Sequence, residues 1–453
     1  PAKEASPEER DILHCSFPAK ICISIKNNRT KKNLPQVTKT IGSGIIKLSN
    51  IAKNPSEKGN KMRKETFVMS LAVLGLWGCA DEADTVPEVA SVDTASEQND
   101  TVSENEEEKV ISFIGVGDNL IHDSIFRDAE LPDGTYDFKF IYENVAEDIE
   151  EADIAFLNQE TISAGGDYPY SGYPAFNTPP EIAQDMKGLG FDLVNGATNH
   201  ALDYDYPGAL NSLAVWNEVE DVIYTGIYES QADRDEIRTI EREGVTFAFL
   251  TYTYGTNGIE PDTSYRVAYF DEEQIRQDVA NAKSVSDAVI VSAHWGDENT
   301  QEVNEMQRTY AQLFADLEVD VVIGTHPHIL QPIEWVTGVN QNKTLVVYSL
   351  GNFIAHSLTD YNTLGGMVTF DFVIADDETM SIENVQFEPT VSHYVADPGN
   401  VENSRRDFKI YKLENYSEEL ALEHGLNGYE DLEITPNNYL SLVKNVIPAE
   451  MLE

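Results

Sequence analysis

Cysteine is scarce in this chain of 453 residues: there are three, at positions 15, 22 and 79, and none from residue 80 onward. The body that follows has no thiols to pair and no thiolates to offer a metal. A disulfide scaffold and a Cys-type zinc module are both excluded there, and the fold must rest on core packing. Basic residues are as thin. Residues 1–78 hold 14 Lys/Arg against 6 Asp/Glu, whereas the remainder holds 17 against 73, a balance of −56. Surfaces of that sign repel nucleic acid and anionic lipid, which are held through lysine and arginine on phosphate, so a nucleic-acid function is excluded. Long apolar runs are missing too. The stretch 67–78 falls short of the roughly 20 residues that a bilayer-spanning helix needs, and no internal repeat is visible.

What is present divides the chain. Residues 1–61 are basic, lack periodicity and begin at Pro1, and they are expected to be a doubtful, mis-annotated leader. "MRKETFVMSLAVLGLWGC", 62–79, has a short positive start, an apolar centre and a terminal Gly-Cys, the pattern of a lipoprotein-type signal peptide with Cys79 as the lipidated residue. Residues 80–109 are acidic, rich in Ser and Thr and almost free of large apolar side chains, a composition expected to form a disordered tether. The expected localisation is therefore the outer face of a bacterial membrane, or secretion. Folded structure is expected over 110–395, with 396–453 as a C-terminal extension.

Within 110–395 short apolar runs alternate with amphipathic stretches. Strands are predicted at 110–117, 153–158, 191–195, 221–225, 245–253, 287–293, 320–324 and 344–349. Helices are predicted near 143–151, 180–189, 207–218, 271–284 and 300–317, and "GGMVTFDFVIA" with "SIENVQFEPTVSHYV" reads as an antiparallel hairpin. The alternation implies an α/β fold with largely parallel strands. In the extension only 416–424 reads as helical.

Polar residues gather just after these strands. Asp118 and His122 follow the first ("GVGDNLIHDS"), and Asn158 and Glu160 close the second ("FLNQE"). Asn199 and His200 follow the third ("GATNHALDYD"), His294 and Trp295 lie in "SAHWGDE", His326 and His328 in "GTHPHILQP", and Asn352 in "YSLGNFIAH". Six of the nine histidines (122, 200, 294, 326, 328 and 356) fall in these motifs. Ligands of open α/β sheets bind beyond the strand C-termini. A carboxylate, amide and imidazole set suits Mn, Fe or Zn, and two such ions sharing a carboxylate suit phosphoryl or amide hydrolysis. The stretch "TYTYGTN", 251–257, is a further candidate for lining the cleft.

In this order the motifs resemble the CapA family of poly-γ-glutamate capsule proteins, which is similar to the calcineurin-like metallophosphatases. The resemblance covers about 110–390 and implies a four-layer α/β/β/α sandwich. It also implies a divalent-metal site, expected to hold two ions, with Asp118, Glu160, Asn199, His294, His326 and His328 as ligands and Glu160 as the bridge. Asp118 and His200 are the catalytic candidates, His200 as general acid. His122, Asn158, Asn352 and Trp295 are expected to orient ligands or meet substrate. One departure stands out: metallophosphatases open with Asp-x-His, and this chain has Leu120 where that histidine would be, leaving a ligand missing unless His122 supplies it. The implied role is in making, exporting or anchoring poly-γ-glutamate, with membrane synthetase subunits as partners and the polymer or another anion as substrate. The alternatives are a non-catalytic metal-binding accessory subunit and a generic secreted metallophosphoesterase.

Overall fold

The computed structural model describes residues 39–41, 44–46 and 109–452, except 376 and 378. The segments expected to be a signal peptide (62–79, with Cys79) and a tether (80–109) lie outside the described residues up to residue 108. The chain divides into two units, Pro1–Gln98 and Asn99–Glu453. Of the first, two strands are described, Lys39–Ile41 and Gly44–Ile46, paired antiparallel.

The second unit carries two sheets. The first holds β1 (Lys109–Asn119), β2 (Ile154–Gln159), β3 (Leu193–Asn195) and β4 (Ile223–Thr225), all parallel neighbours in that order. The second holds β5 (Arg238–Arg242), β6 (Val245–Thr253), β7 (Ala288–His294), β8 (Val321–Thr325), β9 (Leu330–Thr337) and β10 (Lys343–Leu350), in the order β9-β10-β8-β7-β6-β5. Its inner strands β6, β7, β8 and β10 run parallel, and its two edges, β5 and β9, run antiparallel to their neighbours. The chain then returns to the first sheet. β11 (Asn352–Ile354) pairs with the end of β1, and β12 (Leu364–Ile374), β13 (Met380–Val395) and β14 (Arg406–Lys412) extend the sheet antiparallel beyond β1.

Strand periodicity explains the stacking, because successive side chains of a strand point to opposite faces. In β8 Val321 and Ile323 join the large core between the sheets while Val322 joins the smaller core behind, and in β10 Leu345 and Val347 oppose Val346 and Tyr348 in the same way. Phe156 of the first sheet meets Phe249 of the second at 5.9 Å between ring centres, and Phe372 meets Phe247 at 4.8 Å. Helices α3 (Glu272–Lys283) and α4 (Glu305–Asp316) cover the outer face of the second sheet through Ile275, Val279, Ala311 and Phe314. Helices α1 (Glu181–Gly188) and α2 (Asp205–Asn217) fall before α3 in the chain and flank the first sheet. The result is the α/β/β/α order expected from the sequence.

The differences have local causes. β9 was not predicted: it carries Pro332, which a central strand would reject, and it survives because it lies at the sheet edge. β5 is short and charged, and β11 spans three residues, too few for a readable pattern. The extension is better ordered than its composition suggests. It contributes β14, a helix at Glu418–Glu423 and helix α5 (Pro436–Lys444), with Tyr439 and Val443 of α5 buried.

Two glycines set how closely the strands approach at the cleft. A Cβ on Gly117 would lie 1.9 Å from the Gly351 carbonyl oxygen, and one on Gly324 would lie 2.1 Å from that of Tyr348. Both obstacles are backbone, so neither can swing aside. Gly117→Ala should lower unfolding free energy by about 3 kcal/mol, read from the urea midpoint; a midpoint equal to that of the unmodified chain would show that this crossing is looser than the structure indicates.

Candidate metal centre

The candidate residues meet where the strands of both sheets end. In the first sheet Asp118, Asn158 and Asn195 occupy one row across β1, β2 and β3, in register. The row is wired in sequence: Asn195 Nδ2 donates to Asn158 Oδ1 at 2.7 Å, and Asn158 Nδ2 donates to Asp118 Oδ1 at 2.8 Å. Asn352 of β11 stands on the other side of Asp118. Its amide donates to the Asn362 carbonyl, while its Oδ1 is buried without a partner. In the second sheet Thr253, His294 and Thr325 form the matching row across β6, β7 and β8.

Asp118 joins the two rows. Its carboxylate accepts the backbone N–H of His326 at 3.1 Å and faces His328 Nδ1 at 3.0 Å. The turn it holds is strained, for His326 and His328 both have positive φ, 97° and 62°. Left-handed backbone at a residue with a Cβ is uncommon and persists where the surroundings over-determine it. Here the surroundings are the Asp118 carboxylate and the Asn299 N–H, which donates to the Pro327 carbonyl at 2.9 Å.

Glu160 is the central group. It is fully buried, yet neither carboxylate oxygen has a hydrogen-bond partner. Two sets of three residues, Glu160 with His326 and His328, and Asp118 with Glu160 and His294, each place their ligand atoms within 4.8 Å of one another. Glu160 belongs to both, the position of a bridging carboxylate. His326 Nδ1 is likewise buried and unpartnered. His294 faces Asn199 Oδ1 through Nε2 and Thr325 Oγ1 through Nδ1, both at 2.9 Å. A hydroxyl behind the distal nitrogen is the support a metal-ligating imidazole requires. All six expected ligands therefore converge. Buried polar atoms without partners cost free energy on the order of several kcal/mol for a charged group, and a nitrogen and oxygen donor set of this kind fits divalent cations.

The electrostatics agree. Burial pushes the Glu160 carboxyl well above the usual carboxylate range, with Asp118 adding to the rise and His328 opposing it. Burial would lower His328, but the Glu160 carboxylate and the hydrogen bond that His328 donates to Asp118 outweigh it and bring the imidazole up to about 10. Burial and the neighbouring histidines lower His294 and His326. The shifts of Glu160 and His328 mark a buried site short of positive charge.

His200 lies beside this centre. Its Nδ1 is 2.7 Å from Asp203 Oδ2, which also accepts the Phe176 N–H at 2.7 Å. Thr198 ties the segment to Glu160, its hydroxyl donating to the Glu160 carbonyl at 2.8 Å. His122 sits outside both ligand groups. Its ring stacks on His356 at 3.7 Å and its Nδ1 donates to the Leu120 carbonyl, while Leu120 packs with Phe176 and Ala355. Trp295 is also apart, fully buried between Phe270 and Tyr348 with its indole N–H on the Tyr348 carbonyl, so it presents no free polar atom to the cleft. Sequence reasoning passed over Asn195, Thr325 and Asp203. Asn195 was the most findable, an amide ending a buried strand as Asn158 does. The stretch 251–257 does reach the centre: the Tyr254 ring lies 4.5 Å from that of His326, and Asn257 meets both Asn199 and His200 at 3.3 Å.

The chain is 33% identical over 180 residues to the "PGA biosynthesis protein CapA" of Bacillus subtilis (strain 168), covering 39% of this chain and 46% of that protein. It is 27% identical over 180 residues to the "Capsule biosynthesis protein CapA" of Bacillus anthracis, covering 38% and 42%. The match thus spans less than half the length of either curated relative. Among solved structures the Haemophilus influenzae NAD nucleotidase superposes with a TM-score of 0.42 at 11% identity, covering 77% of this chain and 64% of that one. A family model described as "Bacterial capsule synthesis protein PGA_cap" matches residues 112–357, which contain every residue of the centre, and the chain belongs to that family.

Proposed function

We propose that this protein acts at the outer face of the bacterial cell membrane in making, exporting or anchoring poly-γ-glutamate, through a divalent-metal site of the hydrolase type. The observation that carries the reading is Glu160, a fully buried carboxylate with both oxygens unpartnered amid two overlapping ligand groups. Family membership supports the capsule role. The signal-like segment 62–79 supports export and attachment through Cys79. Among the described residues no helix is long and apolar enough to cross a membrane. The partners that fit are membrane synthetase subunits.

Asp118, Glu160, Asn199, His294, His326 and His328 would hold the divalent cation or cations. Bound there, divalent ions supply Lewis acidity toward a phosphoryl or acyl oxygen. The chain's own groups do the rest. Asp118 fixes the strained histidine turn, and Asp203 orients His200 so that a proton is exchanged at Nε2 with a leaving group. The balance of −56 from residue 79 onward repels polyglutamate over most of the surface, so contact with the polymer requires a metal centre, local basic residues such as Arg405 and Arg406, or a basic partner. A second reading, a metal-binding accessory subunit without turnover, is favoured by Leu120, which offers no ligand atom where the metallophosphatase pattern has histidine.

Calorimetry on the purified protein should show Mn²⁺ or Zn²⁺ binding with proton release. His328 titrates near 10, above its ordinary value of 6.5, so at neutral pH the imidazole must lose its proton to coordinate. Affinity should therefore rise from pH 6 to pH 9; affinity independent of pH would contradict this ligand set. Glu160→Gln should weaken binding roughly tenfold or more. If the site is catalytic, His200→Asn should cut metal-dependent hydrolysis of a model phosphodiester or of poly-γ-glutamate by about 10²-fold or more, with metal content unchanged. Bound metal without turnover in the unmodified protein would favour the accessory reading instead.

A further inference from the structure

The segment that follows β6 reaches the centre without being needed as a ligand. Tyr254 is the first residue beyond that strand, and its N–H donates to the His294 carbonyl at 3.0 Å, which fixes its backbone to a candidate ligand. Its ring lies 4.5 Å from that of His326 and 6.4 Å from that of His294. Yet the residue is 40% exposed, unlike the buried ligands beneath it. Three residues on, Asn257 holds the left-handed conformation (φ 51°) and meets Asn199 and His200 at 3.3 Å. The segment is thus pinned at both ends to the centre, with the exposed Tyr254 beside the His326 ring. Among the described residues the Tyr254 hydroxyl has no hydrogen-bond partner, so its donor is free to meet a ligand from solvent.

We infer that Tyr254 is a substrate-positioning residue whose phenol donates a hydrogen bond to an oxygen of an oxyanion, phosphate or carboxylate, bound at the metal centre. The inference rests on the metal reading given above. A tyrosine kept only for packing on His326 gains nothing from a hydroxyl. An aromatic ring half in solvent, with a free donor and a fixed backbone, suits a ligand that has a charged oxygen on the metal side and is open to solvent on the other.

Inorganic phosphate is the probe, titrated by calorimetry into the Mn²⁺-loaded protein. Tyr254→Phe keeps the ring and should weaken phosphate binding about tenfold, with Mn²⁺ affinity and melting temperature unchanged. Tyr254→Ala should weaken it at least as much. Phosphate binding by Tyr254→Phe equal to that of the unmodified protein would overturn the inference and assign Tyr254 to packing alone. So would the absence of phosphate binding to the loaded, unmodified protein. Failure of the unmodified protein to take up Mn²⁺ would remove the metal reading itself, and this inference with it.

Discussion

The structure depends on two carboxylates taken out of water at the seam of two sheets. Asp118 and Glu160 are both fully buried, but they are treated differently. Asp118 is surrounded by donors, the Asn158 amide, the His326 backbone N–H and the His328 ring, so its charge is compensated by protein alone. Glu160 has no hydrogen bond to either oxygen. Burial of an ionised carboxylate costs several kcal/mol unless a partner offsets it, and the partners within reach, His294 and His328, are themselves ligand-type groups. A centre built this way is incomplete as protein. On the reading proposed above, a divalent cation would complete it.

The fold serves that seam. Parallel strands deliver their C-terminal ends to one side, so residues distant in sequence arrive in a row: Asp118, Asn158 and Asn195 from one sheet, Thr253, His294 and Thr325 from the other. Glycines at 117 and 324 let backbone pass close by. The strained turn at His326 and His328 is held by the same carboxylate that orients His328, so loss of Asp118 would release both the turn and the ligand. The C-terminal extension closes the first sheet on its antiparallel side through β14.

Much of this was legible in the sequence, and the reasons are specific. Apolar runs such as "DAVIVSA", followed at once by His294, reveal both a buried strand and the polar residue beyond its tip, and the resemblance to the CapA family then implied which six of those polar residues are ligands. What stayed hidden depends on position across strands or on backbone conformation. Asn195 matters because it is in register with Asn158, and Asn257 because a left-handed backbone turns its amide toward Asn199 and His200. Trp295 misled because adjacency to His294 suggested the cleft, whereas strand alternation sends the next side chain to the opposite face. His122 has the spacing of a substitute ligand but commits its Nδ1 to Leu120 and its face to His356. Edge strands with proline or alternating charge, β9 and β5, gave too little periodic signal.

The most direct test of the central claim is diffraction at the manganese absorption edge from crystals of the protein grown with Mn²⁺. The account predicts anomalous density in contact with Glu160, within the group formed by Asp118, Asn199, His294, His326 and His328. Crystals with no anomalous signal there, and with the Glu160 oxygens hydrogen-bonded to ordered water, would contradict it.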